Sequence, residues 1–248
     1  HCDILRNPFL YFFYRPLLYQ FLKKVDHICV SSEPLFNNSK VISKFKSKCS
    51  IIPFALPSKV EFDYKPVKGR CWVFVGMLRK YKGLETLVRA MQETNESLII
   101  VGDGPEKSRI IGLINELGLT SRIRLTGRVS DNKKFEILSK SKGFILPSIS
   151  NAEAFGMSIL EALRYEKPII STELGTGTSW VNLNNVSGLV VPPSNPQELA
   201  KAINKISSSS KLWCEFSINA GKRFNDLFVN EKMGSELKKV YSKLLLYK

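Results

Sequence analysis

Four short runs decide the fold: Trp72-Val73-Phe74-Val75, Ser97-Leu98-Ile99-Ile100-Val101, Ile123-Arg124-Leu125-Thr126 and Gly143-Phe144-Ile145-Leu146. Each is apolar and rich in β-branched or aromatic residues, and each stops at a turn-forming residue, Gly76, Gly102, Gly127 or Pro147. Segments with helical spacing separate them, at about 83–91, 106–117 and 132–139. A helix at 156–165, strands at 168–171 and 188–191, and a helix at 197–206 continue the rhythm. Strands apolar on both faces, alternating with helices, specify an α/β protein with a doubly wound parallel sheet.

Working outward, residues 9–24 read as a helix with an apolar stripe and a lysine-rich end. A strand over Asp26–Val30, a short helix from Ser39 to Phe45 and a strand at Cys49–Ile52 follow. The polar, Pro- and Gly-punctuated stretch 57–69 reads as a domain linker. At the other end, Ser207–Ser210 is a small break before helices near 211–225 and 230–246.

The 248 residues are 44% hydrophobic and 24% charged, which suits a globular chain with a sizeable core and argues against disorder. No apolar run approaches the roughly 20 residues that span a bilayer, and no secretory signal pattern is read. The five cysteines are dispersed without a C-x-x-C pair, and only His1 and His27 could join them at a metal, so reduced thiols in a cytoplasmic setting are expected.

The net charge is +15, unevenly placed. Residues 1–68 hold 11 basic and 5 acidic groups, residues 69–200 hold 16 and 13, and residues 201–248 hold 10 and 4. The nearly balanced middle argues against nucleic acid as a partner. In the first flank, Phe9, Tyr11, Phe12, Phe13, Tyr14, Tyr19 and Phe21 precede Lys23 and Lys24, a pattern that suits an anionic membrane surface. A helix buried against neighbouring protein would show the same pattern.

Ligands of such a sheet bind beyond the carboxyl ends of its strands. The first of the four runs leads into Gly76-Met77-Leu78-Arg79-Lys80-Tyr81-Lys82-Gly83, where fixed cations and free amides suit an anion, although basic surface residues are common. Gly102-Asp103-Gly104-Pro105 alone is a strand-to-helix turn. The most informative stretch is Pro147 to Leu163. There Glu153 precedes a helix that starts at Gly156, and Glu161 lies eight positions on, leaning back toward the helix start. Such carboxylates suit sugar and ribose hydroxyls; equally, they suit a solvated helix face.

Together these residues resemble the retaining GT-B glycosyltransferases of family 4. The pattern G-x-L-R-x-x-K-G matches Gly76 to Gly83, l-i-V-G-d-G-P matches Leu98 to Pro105, and l-x-G-x-v-s matches Leu125 to Ser130. The E-x7-E motif matches Glu153 to Glu161 with Phe155-Gly156 inside it, and a closing pattern matches Gly188 to Ile203. Many members carry Arg directly after the strand's Gly, where this chain has Met77, and Arg79 stands in the variant position. His1-Cys2-Asp3-Ile4 resembles the H-s-D-i segment late in the family's N-terminal half.

The resemblance implies a GT-B, Rossmann-like architecture with three parts. Residues 1–68 would close the acceptor domain, 69–206 would form the donor domain, and 207–248 would supply helices packing back on the first part. It also implies a fragment, with ~100 residues of the N-terminal domain preceding His1. Catalytic roles fall by resemblance on Glu153, Arg79, Lys82 and His1, with Arg79 and Lys82 on the donor diphosphate and Glu153 on the donor sugar. Donor contacts fall on Gly76, on Gly127 facing the base, on Phe155, Gly156, Met157 and Ser158, and on Glu161 at the ribose. The expected reaction moves a hexose from UDP- or GDP-sugar to a glycan or lipid-linked acceptor in bacterial surface polysaccharide synthesis. No metal or other cofactor is expected, and the expected location is the cytoplasm, peripheral to the membrane's inner face. A GT-B sugar-nucleotide epimerase and a non-catalytic nucleotide-sugar-binding module are the alternatives.

Overall fold

The computed structural model describes residues 8–58 and 68–246. Most of the linker expected at 57–69 lies outside them. Six parallel strands form the main sheet: β3 (Cys71–Val75), β4 (Ser97–Val101), β5 (Ile123–Gly127), β6 (Gly143–Leu146), β7 (Ile169–Thr172) and β8 (Gly188–Val191). Their order is β5-β4-β3-β6-β7-β8. Trp72, Val73, Phe74, Phe144, Ile145, Ile169 and Ile170 are fully buried, as continuous apolar strands covered on both faces must be.

Crossovers that run one way along the sheet and then the other distribute the helices to its two faces. α3 (Leu84–Ala90) packs on α4 (Lys107–Glu116) and on α8 (Pro196–Ser208). α5 (Asp131–Ser139) crosses from β5 to β6, and α6 (Met157–Arg164) packs on α7 (Gly177–Val181) and α9 (Ser210–Leu227). The serine break is a single residue: α8 runs through Ser208, and the Ser209 hydroxyl caps α9 by accepting from the Leu212 amide at 3.1 Å.

A smaller unit precedes this sheet. α1 (Pro8–Lys24) lies against the parallel pair β1 (Ile28–Val30) and β2 (Cys49–Ile51), with Leu18, Tyr19 and Leu22 packed on Val41 and Phe45. The helix expected at 39–45 forms earlier, as α2 (Glu33–Asn38), followed by a 3₁₀ turn at Ile42–Lys48. Ser32 caps α2 and Pro34 pre-sets its first turn, so the start signal lies before Ser39.

The two units meet through aromatic rings. Phe155 sits edge-on to Phe54 at 5.1 Å and to Phe228 at 6.3 Å, and Trp180 joins the cluster 5.6 Å from Phe228. Beside it, the Leu56 amide donates to the Phe228 carbonyl at 2.9 Å, and the Asn230 amide donates to the Leu56 carbonyl at 3.0 Å. From there α10 (Asn230–Leu245) runs to the first unit, where Lys243 adds its charge to the surroundings of His27.

One buried charge stands out. Lys167 is fully buried behind α6, and burial pushes its pKa down to about 8 while Glu166 pulls it back. Between about pH 8 and the ordinary lysine value of about 10.4, the unfolded chain holds a proton that the folded chain has lost. This group's contribution to stability therefore rises with pH across that window, by ~3 kcal/mol. Urea denaturation at pH 7 and pH 10 should show wild type gaining about that much relative to Lys167→Met, whereas parallel curves would contradict the assignment.

Candidate active site

β3 and β6 are neighbours whose onward connections leave in opposite directions, so a crevice opens at their carboxyl ends. The loop after β3 is anchored first. The Leu78 amide donates to the Asp103 carbonyl at 3.0 Å, and the Glu106 amide donates to the Leu78 carbonyl at 3.0 Å. A 3₁₀ turn over Lys80–Lys82 ends at Gly83, whose φ of +69° is left-handed. A Cβ there would stand 1.9 Å from the Pro147 carbonyl oxygen, so only glycine lets the two loops touch. The Ile149 amide completes the junction by donating to the Tyr81 carbonyl at 2.8 Å.

This junction delivers Lys82 to Glu153. The two form an ion pair through Glu153 Oε2, with Lys82 9% and Glu153 8% exposed. The buried Ser148 hydroxyl donates to the same oxygen at 3.0 Å, and Thr176 Oγ1 donates to the Glu153 carbonyl at 2.8 Å. Among the described residues Oε1 has no hydrogen-bond partner. One carboxylate oxygen is held by Lys82 and Ser148 and the other is not engaged. Gly76 borders the pair: a Cβ on it would stand 3.8 Å from Lys82 Cε.

The helix after Glu153 begins with its amides open. Gly156 precedes α6 with φ +86°, and the Ile159 amide already closes on the Gly156 carbonyl at 2.8 Å. The amides of Met157 and Ser158 have no acceptor within the helix, which suits an anion. The Phe155 ring turns into the aromatic cluster, so Phe155 presents main chain alone to the crevice.

Glu161 sits in the second turn of α6, where Lys134 of α5 donates to its Oε1 at 2.7 Å. Lys134 also donates to Asp131 at 3.0 Å. Burial lowers the Lys134 pKa, but the bonds to Glu161 and Asp131 outweigh it and leave the ammonium above its ordinary value. Sequence reasoning missed Lys134. Its signal is local, a lysine three residues after the acid that opens a capped helix. Gly127 ends β5 with φ +70°, beside the Asp103 carboxylate. The hydrogen bond from Lys107, then that from the Gly104 amide, holds the Asp103 pKa below its usual value.

Lys82, Glu153, Gly76 and the start of α6 thus border one crevice, with Glu161 one turn further along α6. Arg79 does not join them. It is exposed, its Nε donates to Met77 Sδ at 2.9 Å, and it lines a separate cavity of about 280 Å³ with Glu85, Arg109 and Ser194. The 3₁₀ turn between Arg79 and Lys82 sends the two cations to different places. His1 lies outside the described residues.

Breaking a buried pair from one side strands the other charge, an effect of roughly 3 kcal/mol or more. Lys82→Met should therefore lower the unfolding free energy by roughly 3 kcal/mol, and Lys82→Met with Glu153→Gln should recover most of the loss. Equal losses in both variants, measured by denaturant unfolding, would show that the pair carries no such charge penalty.

Comparison with known proteins adds to this geometry. The sequence model described as Glycosyl transferases group 1 matches residues 60–223. The D-rhamnosyltransferase WbpZ of Pseudomonas aeruginosa is 36% identical over 237 residues, covering 92% of this chain and 62% of that protein. The O-antigen chain mannosyltransferase C of Escherichia coli is 33% identical over 253 residues, 99% of this chain and 68% of that protein. The chain thus spans about two thirds of the length of these two curated relatives. Among solved structures, sucrose-phosphate synthase of Thermosynechococcus elongatus superposes with a TM-score of 0.79 at 24% identity, over 93% of this chain and 61% of that one. Anabaena HepE, solved with UDP, superposes with a TM-score of 0.83 at 18% identity, over 98% and 71%. At these identities the structures speak for a shared fold, the doubly wound GT-B type. With the family's sequence pattern running from residue 60 into α9, the chain belongs to the glycosyl transferases group 1 family.

Proposed function

We propose that the protein transfers a glycosyl group from a nucleotide-sugar donor to a growing bacterial surface polysaccharide. The observation that carries this reading is the Lys82–Glu153 pair, buried at the switch between β3 and β6 with one carboxylate oxygen unused. A donor laid along the crevice would meet, in order, main chain at Gly127 for its base and Glu161 for its ribose. Lys82 and the open amides of α6 would take its diphosphate, and Glu153 Oε1 its sugar hydroxyls. Lys82 would turn from the carboxylate toward the diphosphate, where its charge is most useful as the leaving group gains electrons.

In the reaction we propose, the acceptor hydroxyl attacks the anomeric carbon from the face on which the diphosphate departs. The anomeric carbon–oxygen bond to phosphate breaks, the bond to the acceptor oxygen forms, and the acceptor's proton passes to a phosphate oxygen. Configuration is retained and no protein nucleophile is consumed. The two curated relatives are named for D-rhamnose and mannose, sugars of one ring configuration that differ at C6. We therefore extend the proposal to a donor sugar of manno configuration, with Glu153 reading hydroxyls the two have in common.

A membrane role is the second part of the proposal. No helix among the described residues is long and apolar enough to cross a bilayer. Along one face of α1, however, Phe13, Leu17 and Phe21 are exposed, with Lys23 and Lys24 at its end. This face would rest on anionic lipid at the inner side of the membrane, where a lipid-linked acceptor is met.

Calorimetric titration with UDP, GDP and ADP tests the donor site. One nucleotide should bind, and Glu161→Ala should weaken it roughly ten-fold, as expected for a lost charged hydrogen bond. Absence of binding by all three would overturn the reading. For the membrane, sedimentation with anionic vesicles at low salt should carry the protein down, and replacing Phe13, Leu17 and Phe21 with Ser should leave it in solution. Equal recovery of both in the supernatant would remove the lipid surface as a partner.

A further inference from the structure

The carboxylate of Glu161 is divided in the same way as that of Glu153. Oε1 accepts from Lys134 at 2.7 Å, and among the described residues Oε2 has no partner. The side chains are 16% and 20% exposed, so the pair is shielded from water and salt in a way that surface pairs are not. Lys134 is in turn fixed from two further sides. Asp131 accepts from it at 3.0 Å, and its ammonium stands 4.4 Å from the centroid of the Phe135 ring. Burial lowers the Lys134 pKa, but the hydrogen bonds to Glu161 and then Asp131 outweigh it and hold the ammonium above the ordinary lysine value.

The two residues come from different helices. Lys134 lies in the first turn of α5, which follows β5 and Gly127, and Glu161 lies in the second turn of α6. A single cation thus ties together the helices that follow β5 and β6, strands that lie on opposite sides of the β3–β6 switch. A glutamate in a helix has three side-chain torsions, and a free one would have to be ordered each time a ligand arrived. Held at one oxygen by a fixed cation, it is ordered in advance.

We propose that Lys134 is a positioning residue for nucleoside recognition, holding Glu161 by Oε1 so that Oε2 is presented to the ribose hydroxyls. The proposal rests on the donor-site reading above. Lys134 itself touches no part of the nucleotide; it acts through Glu161. Its removal should therefore weaken a ribonucleotide and leave a nucleotide without the ribose hydroxyls nearly unaffected, a distinction that a general loss of structure would not produce.

The test is calorimetric titration of the full chain with UDP, GDP and ADP, then with the 2′,3′-dideoxy counterpart of whichever binds (below, the deoxynucleotide). The variants are Lys134→Met, Lys134→Gln, Lys134→Arg, Glu161→Ala and the Lys134→Met/Glu161→Ala pair, each checked for a native circular dichroism spectrum. We expect a roughly ten-fold loss of ribonucleotide affinity in Lys134→Met and Lys134→Gln, and affinity near wild type in Lys134→Arg. The deoxynucleotide should bind wild type and Lys134→Met alike, and Lys134→Met should add nothing once Glu161 is alanine. Wild-type affinity in Lys134→Met, an equal loss for the deoxynucleotide, or additive losses in the double variant would each overturn the positioning role while leaving the donor site standing. If wild type binds none of the three nucleotides, the donor-site reading fails and takes this proposal with it.

Discussion

A lysine and a glutamate, 71 positions apart, form a buried ion pair at the one place where the sheet changes its direction of growth. Much of the C-terminal unit can be read as the means of keeping that contact dry and aligned. Gly83 lets the β3 loop press against the Pro147 carbonyl, Ser148 and Thr176 hold the glutamate from below, and Leu78 pins the lysine's loop to the turn after β4. A desolvated pair of this kind is weak as a source of stability and sensitive to the loss of either member. It is well suited to a different task. Under the proposed donor site, each charge would keep the other in place until a ligand bearing both a diphosphate and hydroxyls offered each a better partner.

The same division of labour recurs one turn further along α6. In both carboxylates one oxygen is engaged by a lysine from another segment, and the second oxygen is left over. The two sites differ in what surrounds the lysine. Lys82 comes from a short turn whose neighbour Arg79 faces elsewhere, while Lys134 is braced by an acid and an aromatic ring on its own helix. A cation at the end of a long stem on a loop can change partners. One braced on a helix is better placed to stay, which is why a phosphate-seeking role is proposed for the first and a holding role for the second.

Much of this was legible in the chain itself. The six strands of the main sheet are continuous apolar runs closed by Gly, Pro or polar turns, and the structure reproduces them to within a residue or so at each end. What local pattern could not supply was the partnership between distant residues. Nothing near Glu161 points to Lys134, 27 positions earlier, because their meeting depends on how α5 and α6 pack. The closeness of Arg79 and Lys82 in the chain likewise says little about where their side chains go: a 3₁₀ turn over Lys80–Lys82 directs the two apart. α2 was displaced because its cap, Ser32, sits at the end of a strand, and α7 was hidden in a Gly- and Thr-rich stretch that reads as loop.

The crossing between the two units has a mechanical meaning. The chain passes from one unit to the other near Leu56 and returns near Val229, and these two passages lie side by side with paired hydrogen bonds through Leu56. Two adjacent, bonded straps define an axis, as the knuckles of a door hinge do. Rotation about that line needs only small torsional adjustments on either side, whereas sliding one unit past the other would have to tear the bonds at Leu56. The Phe54–Phe155–Phe228 cluster lies against this line, and Phe155 is followed directly by the glycine that opens α6. Any swing of the first unit would therefore be felt, through one ring, at the amides that face the crevice.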